Sequence, residues 1–280
     1  MSDTKRSVWW ALAVGVLVAG FAAAQQIEVG MTLAYNNFVI GEPVLVQLEM
    51  LNATRDLIDI GGKDSKDRIM VEITKGGQYN DLKPFNSDPI AGAFQLKPGQ
   101  STQHKVELDK WFSLIQEGKY VVRLMVVHNG MRYESTKKSF DVVPGITVKE
   151  GVQMFVKNQE LKRLFKLVYW HRNQADRLFL RIEDEPGERI WDSIDLGALM
   201  RMTPPKLDIS PDGEITVVHR STQDAFIRTV LWSLPNSVEV VERNSLLDPE
   251  ISASQRVKSL YGEMADEKKK DEKKSWWKFW

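Results

Sequence analysis

The sequence predicts a mainly β protein arranged in two antiparallel regions, and three observations lead there. Apolar and polar residues alternate over short runs, as half-buried antiparallel strands require. Gly, Pro, Asn and Asp clusters separate those runs at short intervals. Two hairpin turns are spelled out, Asn129-Gly130 and Pro211-Asp212-Gly213, whose residues suit backbone corners with positive φ.

Residues 1–24 read as a secretory signal. Lys5 and Arg6 precede an apolar run from Val8 to Ala23, and Ala22-Ala23-Ala24 offers a small-residue cleavage site before Gln25. The competing reading is an uncleaved N-terminal membrane anchor, with Trp9 and Trp10 at the interface. The run of 16 residues is shorter than the roughly 20 that a spanning helix needs. The expectation is an exported protein of the periplasm or cell envelope.

Residues 25–145 are expected to form one sandwich of about seven short strands. Val44 to Met50 alternates after the Gly41-Glu42-Pro43 turn. Arg68 to Ile73 follows, then Phe94 to Leu96 leading into Lys97-Pro98-Gly99-Gln100, and His104 to Leu108. Lys119 to Val126 is the longest candidate, turning at His128-Asn129-Gly130-Met131 into Arg132 to Ser135. Lys138 to Val143 closes the region before Pro144-Gly145. The stretch from Gln78 to Ala93, rich in Pro, Asn, Asp and Gly, is expected to protrude as a loop.

Within this region, Leu96-Lys97-Pro98-Gly99-Gln100-Ser101, then Trp111-Phe112, then Glu117-Gly118-Lys119-Tyr120-Val121-Val122-Arg123-Leu124 resembles the closing strands of bacterial immunoglobulin-like modules. It is also similar to the sandwich inhibitors grouped as BsuPI-type proteinase inhibitors, with Glu117-Gly118 standing where that family often has Pro-Gly. The resemblance covers residues 30–143 and implies an Ig-like fold. It maps no inhibitory loop residue by residue.

Residues 150–247 are expected to form a small antiparallel β domain beside the sandwich. Leu164 to Tyr169 and Leu178 to Ile182 flank Asn173-Gln174-Ala175-Asp176, and Ile190-Trp191 follows the Glu185-Pro186-Gly187-Glu188 turn. Lys206 to Ser210, Glu214 to His219, Phe226 to Trp232 and Val238 to Val241 then read as a four-strand meander. It looks like one blade of a β-propeller, but the repeats a propeller requires are absent.

Asp248-Pro249-Glu250 is expected to open a helix over 248–265, with Asp as the cap, Pro at its first position and an acidic residue at the positive end of the dipole. Nine charged residues, Asp266 to Lys274, lead into a tail over 266–280 that ends Trp276-Trp277-Lys278-Phe279-Trp280. Trp and Phe suit a membrane interface or the pockets of a protein partner, and the lysines suit anionic headgroups. The third reading folds the tail back onto the protein's own surface.

Lys+Arg and Asp+Glu both number 38, so no basic excess points to nucleic acid. With no cysteine, disulfides, thiolate metal sites and Cys nucleophiles are excluded. No two of His104, His128, His171 and His219 lie within five residues, so no local metal pair exists. Glu183, Asp184 and Glu185, and Asp208 with Asp212, adjoin solvated turns. Asn52-Ala53-Thr54 matches a glycosylation triplet. The expectation is a protein without catalytic residues, metal or cofactor, acting as an envelope binding or scaffold module. The candidate contact residues are Trp276, Trp277, Lys278, Phe279 and Trp280. The alternative is an inhibitor of exported proteases working through sandwich-end loops; a hydrolase would need His171 or His219 set against a buried carboxylate in a cleft.

Overall fold

The structure is a computed structural model, which describes residues 26–61, 66–76, 81–155, 158–185 and 189–247. The expected signal, the 248–265 helix and the 266–280 tail lie outside the described residues. What is described is mainly β, in several largely antiparallel sheets.

In the first half, β1 (Ile27–Leu33), β3 (Leu45–Asn52) and β7 (Ser101–Glu107) form a sheet in the order β1-β3-β7. A second sheet runs β2-β10-β8-β5, from β2 (Asn37–Val39), β10 (Lys138–Val143), β8 (Gly118–His128) and β5 (Arg68–Lys75). β9 (Met131–Glu134) adds to β8, and β2 runs parallel to β10. A two-stranded ribbon of β4 (Ile58–Ile60) and β6 (Phe94–Leu96) lies beside them. Alternation explains the pairing: β3 buries every second residue, so Val46, Leu48 and Met50 face one core with Ile73, Val122, Leu124 and Phe140. Each such aliphatic side chain contributes roughly 1.5–3 kcal/mol on burial. Asn52 is fully buried and is no glycan acceptor. Its Nδ2 donates to the carbonyls of Asp56 and Leu96, and its Oδ1 accepts from Thr54 N and Oγ1. At the start of β8 the Tyr120 hydroxyl donates to the Gln116 carbonyl at 2.7 Å, pinning the entry to that strand.

The second half is antiparallel β throughout. It comprises two four-stranded meanders. One runs β11 (Ile146–Phe155), β12 (Asn158–Arg172), β13 (Ala175–Asp184), β14 (Arg189–Ala198). The other runs β15 (Lys206–Ile209), β16 (Glu214–Arg220), β17 (Ala225–Leu234), β18 (Ser237–Leu247). Phe165, Leu167, Leu178, Leu180 and Ile182 of the first meet Leu207, Ile215, Val217 and Leu231 of the second in one core. Gly151 lets the two sheets approach closely: a Cβ there would sit 2.5 Å from Ile209 Cδ1, so that side chain would have to shift.

The turns follow the chemistry read from the sequence. Asn129-Gly130 and Asn173-Gln174 both have positive φ and join directly paired strand ends, His128 with Met131 and Arg172 with Ala175. Two such residues match the right-handed strand twist. Gly213 takes φ +98° in the third hairpin.

Candidate functional site

Two places in the described residues combine apolar walls with polar groups. The first surrounds the loop from Asp81 to Ala93. That loop, expected to protrude, is anchored at several points while most of its residues stay exposed. Leu82 N donates to the Ile73 carbonyl, Phe85 N to the Trp111 carbonyl, and Trp111 Nε1 to the Asp88 carbonyl at 2.9 Å. Leu82 and Ile90 pack on the core of the first half. Trp111 therefore acts as the post around which the loop is wrapped, its indole N–H holding the Asp88 carbonyl.

Between this loop and β5 lies a groove of about 380 Å³, walled by Ile60, Ile69, Val71, Ile90, Trp111 and Phe112, with Asp67, Arg68 and Asp88 at its rim. β5 is the last strand of its sheet. Leu82 bonds to the carbonyl of Ile73 on the side away from β8, which fixes the backbone phase. In an antiparallel strand a residue's N–H and C=O point the same way and alternate along the chain. Ile69, Val71 and Ile73 therefore direct theirs outward. Among the described residues nothing bonds to the outward groups of Ile69 and Val71. Asp67 is held at the rim: its Oδ2 meets His128 Nδ1 at 2.7 Å, while Asn129 Nδ2 lies 3.0 Å from His128 Nε2. With Asn129 Nδ2 as the donor to Nε2, His128 Nδ1–H is left to donate to the carboxylate.

The second place is the junction of the two halves. Only Pro144 and Gly145 separate β10 from β11. Arg172 Nη1 meets both carboxylate oxygens of Glu42, at 2.8 and 3.0 Å, and Glu42 Oε2 also accepts from Val39 N. The Arg172 guanidinium lies 3.8 Å from the Tyr35 ring centroid. Burial pushes the Glu42 carboxyl up, against the pull of the Val39 N–H and of Arg172. Trp170 Nε1 donates to Asn37 Oδ1, Ser193 N to the Gly41 carbonyl and Arg181 Nη1 to the Pro144 carbonyl. Val39, Val168 and Phe179 form a small apolar cluster across the joint. Beside it opens a cleft of about 340 Å³ bounded by Phe85, Phe112, Ile115, Asp109, Arg189 and Trp191. Trp191 is held between two guanidiniums, with Arg163 at 4.3 Å and Arg189 at 4.0 Å from its ring. Burial raises the carboxyls of Asp109 and Asp192 there.

The residues weighed for chemistry are dispersed. His104 stacks on Phe94 and His128 serves the Asp67 clasp. His171 is exposed and meets Asp176 at 2.8 Å, but Arg201 takes the other oxygen of that carboxylate. His219 is fully buried, both ring nitrogens lack a hydrogen-bond partner, and burial lowers its pKa to about 4. Glu183, Asp184 and Glu185 are each ion-paired, to Lys166 and Arg181, to Arg163 and to Lys162. Asp208 and Asp212 are exposed. Among the described residues no group of three His, Asp or Glu could hold a metal ion, and no helix is long and apolar enough to cross a membrane. Trp276, Trp277, Lys278, Phe279 and Trp280 lie outside the described residues. The groove was half-legible: the sequence marked its loop, but not the Trp111 anchor or the open strand edge.

No known protein family matches the chain, and no curated protein does. Among solved structures it is similar to Spo0M, the sporulation control protein of Bacillus subtilis, at 10% identity over 86% of this chain and 98% of that one, with a TM-score of 0.29. That superposition is too loose to assign a shared fold.

Proposed function

We propose that this is a non-catalytic protein of the cell envelope, exported by its N-terminal signal, that works as a binding or scaffold module. The observation that carries the reading is the groove beside β5, where apolar walls, an open strand edge and a few rim charges converge. Concave apolar sites with a few convergent polar groups are the usual setting for ligand binding. An Ig-like first half fits the role. The orders β1-β3-β7 and β2-β10-β8-β5, with β2 parallel to β10, support that Ig-like reading. The Tyr120 bond to Gln116 has the form of its tyrosine corner. The aromatic tail, Trp276 to Trp280, supplies a second contact to membrane or partner, on sequence grounds alone.

The inhibitor reading is the alternative: the Asp81–Ala93 loop is anchored by backbone bonds yet keeps most of its residues exposed. The test is photo-crosslinking from a benzoylphenylalanine at Met70, which lines the groove, in the full exported chain with and without residues 275–280. Discrete protein adducts from Met70 support the groove. Loss of membrane fractionation on truncation supports the tail. A chain with no adducts and unchanged fractionation is not a binding module of this kind.

A further inference from the structure

We propose that the outer edge of β5 takes an extended segment of a partner protein as an added strand. The inference rests on the binding reading above and specifies how the groove binds. Among the described residues nothing pairs with the outward N–H and C=O of Ile69 and Val71, and an extended peptide laid antiparallel or parallel to them satisfies all four. Such strand addition draws affinity from the main chain and selectivity from alternate side chains. Every second residue of the segment then enters the groove against Ile60, Ile90, Trp111 and Phe112, so these positions are apolar. The intervening residues face solvent past Asp67, Arg68 and Asp88.

The geometry also selects the occupant. Upstream, Asp67 is held by His128; downstream, Leu82 already occupies the Ile73 carbonyl. The open edge is therefore about four residues long, Arg68 to Val71. A second copy pairing through its own β5 would share only these few residue pairs, little area against the roughly 1,000 Å² that a stable interface needs. A single peptide strand adds side-chain contacts in the groove to the same main-chain bonds.

The experiment pans a phage-displayed library of random dodecapeptides on the full-length protein and then measures N-methylated copies of the most enriched sequences by calorimetry. The expected result is enriched peptides with apolar residues at every second position. N-methylation on alternate residues weakens binding about fivefold or more, as a lost hydrogen bond does, and on the other residues leaves it unchanged. Val71→Pro removes one outward donor, at an edge where proline is tolerated, and weakens the same peptides while its circular dichroism stays native. If that variant misfolds, the N-methyl series decides alone. No enrichment, or binding indifferent to the phase of N-methylation, overturns strand addition. Adducts from Met70 would in that case still uphold the groove as a contact site. Self-association that Val71→Pro abolishes assigns the edge to a second copy, and competition by a peptide of residues 275–280 assigns it to the tail; either result overturns the proposal.

Discussion

His219 makes the protein acid-sensitive in a way that one substitution removes. It lies on the interior side of β16, in line with Ile215 and Val217, and neither ring nitrogen has a partner. Burial holds its pKa at about 4 instead of 6.5; the Ala198 carbonyl pulls the other way without reaching hydrogen-bond geometry. The folded state thus favours the neutral ring, and the unfolded state binds the proton more readily. The resulting stability is fully present above about pH 6.5 and is lost as pH falls toward 4. The full displacement is worth about 3 kcal/mol, and about 2 kcal/mol of it is lost between pH 7 and pH 5. His219→Leu keeps the volume, removes two unpaired polar atoms and has nothing to titrate. The variant is expected to be more stable by about 1 kcal/mol at pH 7 and by about 3 kcal/mol at pH 5. Urea unfolding followed by tryptophan fluorescence at pH 7, 6 and 5 measures the gap. Other carboxylates move both proteins equally, so the difference isolates position 219. A gap that stays constant from pH 7 to pH 5 refutes the argument.

Arg172→Met is expected to cost about 3–5 kcal/mol, because it strands a buried Glu42 carboxylate. Adding Glu42→Gln should restore at least about 1 kcal/mol of that loss in the same urea assay, and additivity of the two would mean they are not coupled. Gly213→Ala meets both a φ of +98° and a Cβ placed 2.6 Å from the Ser233 carbonyl oxygen, so a loss of at least about 2 kcal/mol is expected. Gly130→Ala shares the positive φ but has open space around it and should cost only about 1 kcal/mol.

Local chemistry made much of the fold legible in the sequence. Asn129-Gly130 and Asn173-Gln174 announce their turns because so few residues tolerate that backbone, and Val46, Leu48 and Met50 announce their strand by period two. β11 escaped because most of its residues are exposed, leaving no alternation to read. The anchoring of the Asp81–Ala93 loop escaped for a different reason. Its composition is that of a free loop, and the residue that ties it down, Trp111, is 23 positions beyond the Asp88 it holds. Likewise nothing near Arg172 in the sequence points to Glu42, 130 positions away. Asn52 fits a surface triplet yet sits in the core, since the triplet says nothing of the carbonyls that surround it. Of the candidate site, the loop was visible as composition. The open edge was not, because whether a strand has a neighbour on its far side is decided by topology.

The two-residue connection at Pro144-Gly145 has a thermodynamic consequence. With no slack between β10 and β11, and with the Glu42–Arg172 pair and the Val39, Val168, Phe179 cluster closing the joint, neither half loosens without exposing groups of the other. The two halves are therefore expected to unfold as one cooperative unit, in which free energy gained at one end is felt at the other. A ligand seated at β5 adds RT ln(1 + [L]/Kd) to the whole unit. Trp191, a half-length of chain away on β14, thereby becomes a reporter of what the β5 groove has captured.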